Sequence, residues 1–164
     1  MRNIQDMSGE LDGYLFRPAE VSDAQNVTAL VDAAYGHYLE RLQMKPGPMT
    51  EDYVEVIRNH AVTVAVSRGS IVGLIVLRVS DEVLFIDNVA VHPHDRGRGV
   101  GRTLLQFAEG EARRAGFNSI HLYTHEKMTE NLALYSKVGY VEYARRSQGS
   151  FALVYMQKTL SASV

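Results

Sequence analysis

The chain of 164 residues is long enough for one domain with a sizeable core. Apolar residue types make up 46% and charged types 22%, both near the averages for soluble globular proteins, so the composition excludes a disordered or fibrous chain. Cysteine is absent, which excludes disulfides, a thiolate nucleophile and cysteine-ligated metal sites built from this chain. The formal net charge of −2 argues against a general binder of nucleic acid or of anionic membranes.

The N-terminal segment and the apolar runs bear on location. The first twenty residues carry Asp6, Glu10, Asp12 and Glu20 where a secretory signal would need an apolar stretch. The longest apolar runs, such as residues 71–77, are much shorter than the ~20 residues that span a bilayer. We therefore expect a cytoplasmic protein without membrane contact.

The first sixty residues predict a strand and two helices. Residues 14–16 form a short β-like run, and Ser22 or Asp23 can cap the helix that follows. The apolar face of this helix carries Val27, Leu30, Val31 and Ala34. The sequence KPGP at 45–48 breaks the chain, and Thr50 is expected to cap a second helix. The apolar face of the second helix carries Tyr53, Val54 and Ile57.

The remaining hundred residues alternate strands with two helices. The predicted strands cover residues 61–67, 71–79, 83–91, 119–123, 140–145 and 151–158, and the first three follow one another as an antiparallel meander. The predicted helices cover residues 99–115 and 129–138. Apolar residues recur at helical spacing in the longer one at Val100, Leu104, Phe107, Ala108 and Ala112. Without a linker or a repeat, this order predicts a single-domain α/β fold, with about seven strands in a mixed sheet flanked by about four helices.

A loop rich in glycine and arginine, at residues 92–103, joins the meander to the long helix. Gly97, Gly99 and Gly101 permit positive φ and let backbone N–H groups approach an anion, while the helix N-terminus adds about half a positive charge. Three arginines stand where a helix start favours acidic residues: Arg96, Arg98 and Arg102. Because a bound anion would supply the missing negative charge, the loop predicts a phosphate site. The alternative is a solvated basic loop in which the glycines only turn the chain.

Two well-known phosphate motifs do not match this loop. A P-loop counted from Gly97 would need glycine where Arg102 stands and lysine where Thr103 stands. A dinucleotide fingerprint from Gly97 would also need glycine in place of Arg102, and its strand would belong to a parallel βαβ unit rather than to a meander. The sequence thus argues against both.

The loop instead matches the pattern R/Q-x-x-G-x-G/A over residues 96–101. It follows the segment NVAVHP at 88–93, and the segment YSKVGY stands at 135–140. On these motifs and the order of the strands, over about residues 60–160, the chain resembles the GNAT superfamily of acyl-CoA-dependent N-acetyltransferases.

The resemblance implies one N-acetyltransferase domain over residues 1–164, with a variable acceptor-binding part at about 12–60 and an acyl-CoA-binding core at 60–160. Backbone amides of the loop would hold the CoA pyrophosphate, and the pantetheine arm would run along a strand that splays from its neighbour. The implied acetyl-CoA contacts are Val89, Ala90, Val91, Arg96, Gly97, Arg98, Gly99, Val100, Gly101, Arg102, Thr103 and Asn131.

The resemblance also implies catalytic roles. Tyr135 matches the family tyrosine that gives a proton or hydrogen bond to the departing thiolate. Asp87 is a candidate base, because a strand period of two places its side chain on the same face as those of Val89 and Val91; a water relay is the open alternative. The candidate acceptor-binding residues are Tyr38, Arg41, Met49 and His125. The cluster His92-x-His94-Asp95 has metal-ligand types, but we expect no metal.

The resemblance therefore implies an N-acetyltransferase that moves an acetyl group from acetyl-CoA to a primary amine of a small molecule or peptide, by direct transfer in a ternary complex. The alternative is a catalytically idle acyl-CoA-binding sensor or regulatory module. A nucleic-acid binder that uses the Arg-Gly-Arg-Gly run is disfavoured by the near-neutral charge. The protein is expected to be a monomer or a homodimer.

Overall fold

The computed structural model describes residues 9–11, 13–149 and 151–161; Asp6 and Asp12 lie outside this part. Its strands are β1 (Gly9–Leu11), β2 (Tyr14–Pro18), β3 (Ala61–Ser67), β4 (Ser70–Val79), β5 (Leu84–Val91), β6 (Ser119–His125), β7 (Val141–Gln148) and β8 (Phe151–Thr159). Its α-helices are α1 (Ala24–Tyr35), α2 (Tyr38–Leu42), α3 (Tyr53–Asn59), α4 (Val100–Arg114) and α5 (Thr129–Lys137). Short 3-10 helices cover Val21–Asp23, Gly47–Thr50 and Pro93–Asp95.

The strands form one sheet in the order β1-β2-β3-β4-β5-β6-β8-β7. Every neighbouring pair is antiparallel except β5 with β6, which run parallel. The predicted mixed sheet with an antiparallel meander is therefore confirmed. The described chain has eight strands rather than about seven, and five α-helices rather than about four. The additions β1 and α2 are three and five residues long, too short to leave a periodic signal.

Helices cover both faces of the sheet. On one face, called the α4 face, the predicted apolar stripe of α4 packs against the sheet, and Leu104 and Ala108 are completely buried. On the other, the α1 face, Val27 and Val31 of α1 are completely buried with α3 beside them. Burying a leucine or valine side chain contributes roughly 1.5–3 kcal/mol, so these stripes fix each helix on its face.

The starts of two helices differ from the predictions. Asp23 does not cap α1; its carboxylate accepts the Glu20 amide at 2.8 Å and pairs with Arg17, so a 3-10 turn precedes the helix. Thr50 does not cap α3, because its hydroxyl donates to the Gly47 carbonyl within the preceding 3-10 helix. Asp52 takes that role and accepts the Val54 amide at 3.0 Å. In each case a nearer polar partner competes for the predicted side chain.

Two irregularities of β5 shape the centre of the sheet. Pairing with β6 covers only Leu84–Ile86, so the two parallel strands part beyond that point. Pairing with β4 skips from Ile86 to Asn88, which leaves Asp87 as the extra residue of a β-bulge. The bulge shifts the alternation of side chains between the two faces for the rest of the strand.

In the described ranges, no helix combines the length and the apolar composition needed to cross a membrane.

Candidate active site

The loop between β5 and α4 presents a row of unpaired backbone amides. Gly97 and Gly99 have φ of 77° and 84°, in the left-handed region that favours glycine. Within the described chain, none of the six amides at positions 97–102 donates to a backbone carbonyl, and the first bonded amide is that of Thr103, at 2.9 Å from the Gly99 carbonyl. These donors and the positive end of α4 form an anion cradle.

The structure separates the predicted loop contacts into two groups. The loop residues that line the cleft beside this cradle are Asp95, Arg96, Gly97, Gly99, Val100, Gly101 and Arg102. The cleft, called the loop cleft, has a volume of about 460 Å³ and is also lined by Val89, Ala90, Val91, Asn131 and Tyr135. Arg98 is outside this lining, with an exposed side chain whose guanidinium is 3.9 Å from Asp95. Ten of the twelve residues predicted to contact acetyl-CoA therefore line the loop cleft, and the other two, Arg98 and Thr103, do not.

Thr103 supports the loop instead of lining the cleft. It is buried, and both its amide and its hydroxyl are directed at the Gly99 carbonyl, at 2.9 and 2.7 Å. The Arg98 amide has no backbone partner within the described residues, and its side chain is exposed. The first turn of the helix thus uses both of the Thr103 donor groups, and a role of Thr103 in holding phosphate stays a prediction.

Arg96 and Gly101 act differently from the expectation. The Arg96 amide lies 3.3 Å from the Pro93 carbonyl, and its guanidinium donates to the Ala34 carbonyl at the end of α1, at 2.6 Å. Arg96 therefore ties the loop to α1 across the cleft. Gly101 does not have positive φ; a Cβ there would come within 3.3 Å of Leu134, so this glycine permits close packing of α4 on α5.

A second cavity lies against residues 86–89 of β5, next to the part of the strand that lines the loop cleft. It has a volume of about 420 Å³ and is called the tyrosine cavity, because Tyr35, Tyr53, Tyr123, Tyr135 and Tyr155 line it. Four residues line both this cavity and the loop cleft: Tyr35, Val89, Asn131 and Tyr135. The two spaces thus meet at the point where β5 parts from β6.

Tyr135 lies at this meeting point. Its side chain is buried, and its ring packs edge-on against Tyr140 with the centroids 5.9 Å apart. Among the described residues, its hydroxyl has no hydrogen-bond partner. Burial raises the pKa of Tyr135 above the ordinary tyrosine value, so the phenol keeps its proton at neutral pH. Tyr135 is thus a protonated phenol on a residue that lines both spaces.

Asp87 does not share a face with Val89 and Val91. Asp87 lines the tyrosine cavity, and the bulge puts Asn88 on the same face as Asp87, so that Val89 and Val91 pack with the core of the α4 face. The prediction from a strict period of two is therefore wrong, because the extra residue interrupts the alternation. The Asp87 carboxylate accepts from the Arg78 guanidinium at 2.6 Å and remains half-buried at the cavity wall.

A buried polar network behind the cavity was not predicted. Tyr35 directs its hydroxyl at Asn88 Oδ1 and at the Val89 carbonyl, at 2.7 and 2.9 Å. The Asn88 amide nitrogen donates to the Tyr53 hydroxyl at 3.1 Å, and Tyr53 donates to the Pro48 carbonyl at 2.6 Å. The network links β5 to α1, α3 and the segment before α3. An asparagine inside an otherwise apolar strand was the available sequence signal.

The four predicted acceptor-binding residues lie in different parts of the structure. His125 is buried, lines the tyrosine cavity and accepts the Lys127 amide at Nδ1. Met49 packs among the helices of the α1 face and does not line the cavity. Tyr38 lines the loop cleft and Arg41 lies near the surface, where both bond Glu130 of α5. The structure therefore brings only His125 of the four to the cavity.

Glu130 links α2 to α5. It accepts two bonds from Arg41, at 2.7 and 2.9 Å, and one from Tyr38, at 2.9 Å. Bonding to Arg41 lowers the pKa of Glu130 to about 2, so the carboxylate stays charged. This contact closes one side of the loop cleft.

The histidines before the loop are arranged as a turn. His92 Nδ1 accepts the His94 amide at 3.2 Å, and the two rings stack with centroids 5.0 Å apart. In the part of the chain with described coordinates, no group of three or more histidines and acidic residues has the arrangement of a metal site.

Comparison with known proteins finds a matching family and a relative of known name. The model of the acetyltransferase (GNAT) family matches residues 27–140. Mycothiol acetyltransferase of Jonesia denitrificans is 27% identical over 146 residues, which cover 82% of this chain and 45% of that protein. The chain thus spans less than half the length of this relative.

Solved structures share the fold. The PaiA N-acetyltransferase of Thermoplasma acidophilum, in complex with coenzyme A, has a TM-score of 0.75 and 17% identity, with 88% of this chain and 97% of that chain covered. A GNAT family acetyltransferase of Elizabethkingia anophelis with acetyl-CoA bound has a TM-score of 0.70 and 18% identity, covering 92% and 100%.

Proposed function

Because the chain belongs to the acetyltransferase (GNAT) family, we propose that it is an enzyme that transfers an acetyl group from acetyl-CoA to a primary amine of a small molecule or peptide, directly within a ternary complex. The proposal treats residues 1–164 as one N-acetyltransferase domain. In it, the part at about 12–60 serves acceptor binding and the part at 60–160 serves acyl-CoA binding.

One observation carries the proposal: the loop cleft and the tyrosine cavity meet at four shared residues, Tyr35, Val89, Asn131 and Tyr135. Direct transfer requires a donor and an acceptor that enter from separate sides and touch at one point. The loop cleft has the anion cradle that a diphosphate carrier needs, and the tyrosine cavity has room for a small acceptor. Their junction lies beside a buried phenol that keeps its proton.

In this proposal the loop holds the CoA pyrophosphate. The six amides at positions 97–102 and the Arg102 side chain supply donors and positive charge, and Asn131 contacts the arm from α5. The pantetheine arm lies along residues 89–91, on the edge of β5 that β6 has left. Acetyl-CoA supplies an activated thioester, so the chain needs no covalent intermediate.

Backbone amides of β5 polarise the thioester carbonyl. The His92 amide donates to the Val72 carbonyl of β4, at 2.9 Å. Because the direction of strand amides alternates, the amides of Val89 and Val91 point to the opposite edge, toward the opening between β5 and β6. Donors of this kind are typically worth about 3–4 kcal/mol of transition-state stabilisation.

Tyr135 donates a hydrogen bond to the departing thiolate. Transfer of a proton from a phenol with a pKa of about 10 to a thiolate whose thiol has a pKa of about 8.5 costs roughly 2 kcal/mol, and burial of the phenol makes full transfer less favourable still. The side chain therefore stabilises the thiolate by a hydrogen bond, with late proton transfer. A hydrogen bond to a charged group contributes about 1.5–3 kcal/mol, which corresponds to roughly 10- to 150-fold in rate.

Asp87 takes a proton from the acceptor amine. An ordinary alkylammonium with a pKa of about 10.4 must lose a proton before attack, which costs about 4.6 kcal/mol at pH 7. Asp87 lines the tyrosine cavity and is held by Arg78, so its carboxylate can take this proton directly or through a water molecule. His125, in the same cavity, contacts the acceptor.

The test compares two buried tyrosines of one aromatic pair. Tyr135→Phe should lower the rate of thiol release from acetyl-CoA in the presence of amines by 10-fold or more, as the hydrogen-bond range above implies, and should leave the CoA dissociation constant unchanged. Tyr140→Phe is the matched control, since Tyr140 packs against Tyr135 but lines neither space. An unchanged rate in Tyr135→Phe would remove this residue from the mechanism. CoA binding without acetylation of any amine would favour the sensor.

A further inference from the structure

The walls of the tyrosine cavity are unusually rich in aromatic rings. Five of the nine tyrosines of the chain line it, together with Leu42, Met44, Met128 and Leu153. Two of the five, Tyr35 and Tyr53, have hydroxyls engaged in the Asn88 network, so they offer mainly their rings to the space. A wall of this kind binds a flat apolar group better than a strongly hydrated one.

The aromatic wall continues onto the surface of the sheet. Tyr123 of β6 and Tyr155 of β8 are directly opposite cross-strand partners, with ring centroids 5.7 Å apart. Phe85 lies 6.5 Å from Tyr123, and Tyr143 lies 6.2 Å from Tyr155, outside the cavity. Tyr123 is 36% exposed and Tyr143 45% exposed. Exposed rings that continue the wall of a cavity mark a binding surface rather than a part of the core.

The charges at this end of the cavity suit an ammonium group. Asp87 and Glu51 both line the space, and both act on the Tyr53 hydroxyl from nearby. Asp87 also acts on the nearby Tyr123 hydroxyl, whose pKa is raised by burial and by that carboxylate. Because Asp87 and Tyr123 line the same cavity close to each other, an amine that contacts Asp87 can carry a neighbouring group against the Tyr123 ring.

We propose that the acceptor is a small arylalkylamine, in which a short alkyl chain joins the primary amine to an aromatic ring, and that Tyr123 and Tyr155 hold the ring. The proposal deepens the proposed function and rests on it for the position of the amine. A cavity of about 420 Å³ is at the lower end of the range for small-molecule sites, which suits a single ring and a short chain. Ring stacking on the tyrosine pair gives the preference over a purely aliphatic amine.

The experiment measures binding by calorimetry to the protein saturated with CoA. The probes are 2-phenylethylamine and 1,5-diaminopentane, which share a primary ammonium and differ in having a ring or a second ammonium at the far end. The dissociation constant of 2-phenylethylamine should be about tenfold lower than that of the diamine. Tyr123→Ala should raise the dissociation constant of 2-phenylethylamine about tenfold. Tyr123→Phe keeps the ring and should bind 2-phenylethylamine as the parent chain does, which controls for misfolding of variants at this position.

Tyr143→Ala is the matched control, because Tyr143 belongs to the same group of rings but does not line the cavity. It should change the affinity by less than about twofold. Equal or tighter binding of the diamine, no heat with 2-phenylethylamine, or equal losses in Tyr143→Ala and Tyr123→Ala would overturn the proposal. Selective binding of 2-phenylethylamine without its acetylation would instead contradict the proposed function, whereas acetylation of the diamine alone would keep that function and reject the arylalkylamine.

Discussion

Two glycine-to-alanine changes on one helix should have opposite effects on stability. Gly99 precedes α4 with φ 84° and ψ 11°, and a Cβ there would meet no atom within 4 Å, so the only cost of alanine is the left-handed backbone. That cost is about 1–2 kcal/mol, and the stiffer unfolded chain offsets about 0.4–1 kcal/mol of it. Gly110 lies inside α4, where a Cβ would have Arg114 Nη2 at 3.8 Å, an ordinary contact. Alanine there should stabilise the helix by about 0.5–1 kcal/mol.

Equilibrium unfolding in urea would measure both variants against the parent chain. The free energies of unfolding of Gly99→Ala and Gly110→Ala should differ by about 1.5 kcal/mol, or roughly 3–6 °C in Tm for a chain of this length. Gly99→Ala should also weaken CoA binding by about tenfold, because the loop must recover its strained form to aim its amides, and Gly110→Ala should not. Equal stability of the two variants would refute the requirement for a left-handed residue at 99.

Two further changes test ion pairs outside the cavities. Lys158→Met should lower the free energy of unfolding in urea by about 3 kcal/mol. The reason is that the nearly buried Glu109 carboxylate, 3.0 Å from Lys158 Nζ, loses its counter-charge. The double variant with Glu109→Leu should recover most of this loss. Asp23 is bonded by Arg17, which lowers the pKa of its carboxyl, so the carboxylate stabilises the fold above about pH 4 and this contribution disappears as pH falls through the lowered pKa. Between roughly pH 6 and roughly pH 3, the parent chain should therefore lose more unfolding free energy than Asp23→Asn, and equal losses would contradict the assignment.

The sequence predicts what is encoded locally. The meander, the apolar stripe of α4 and the loop with Gly97 and Gly99 each depend on residues close together in the chain, and the structure has all three. The parting of β5 from β6 was implied only by family resemblance, and it is present in the pairing.

What could not be predicted depends on partners far apart in the chain. Arg41 and Glu130 are separated by 89 positions, so no local pattern shows that they bond each other instead of an acceptor. Tyr35 meets Asn88 across 53 positions, and Arg96 meets the end of α1 across 62. Polar and aromatic side chains near a predicted site can therefore be taken from the sequence as ligand contacts, although in the folded chain they bond distant residues.

The bulge at Asp87 explains how β5 can line both the tyrosine cavity and the loop cleft. With strict alternation, Asn88 would share a face with Leu84 and Ile86, whose side chains lie in the apolar core beneath α4. An unpaired amide in such a core costs roughly 1–3 kcal/mol or more. The extra residue turns Asn88 to the α1 face, where Tyr35 and Tyr53 bond it. Asp87 and Asn88 then both line the tyrosine cavity, while Val89 packs on the α4 face and lines the loop cleft as well. The asparagine and the bulge therefore depend on each other, and together they let neighbouring residues of β5 line both spaces.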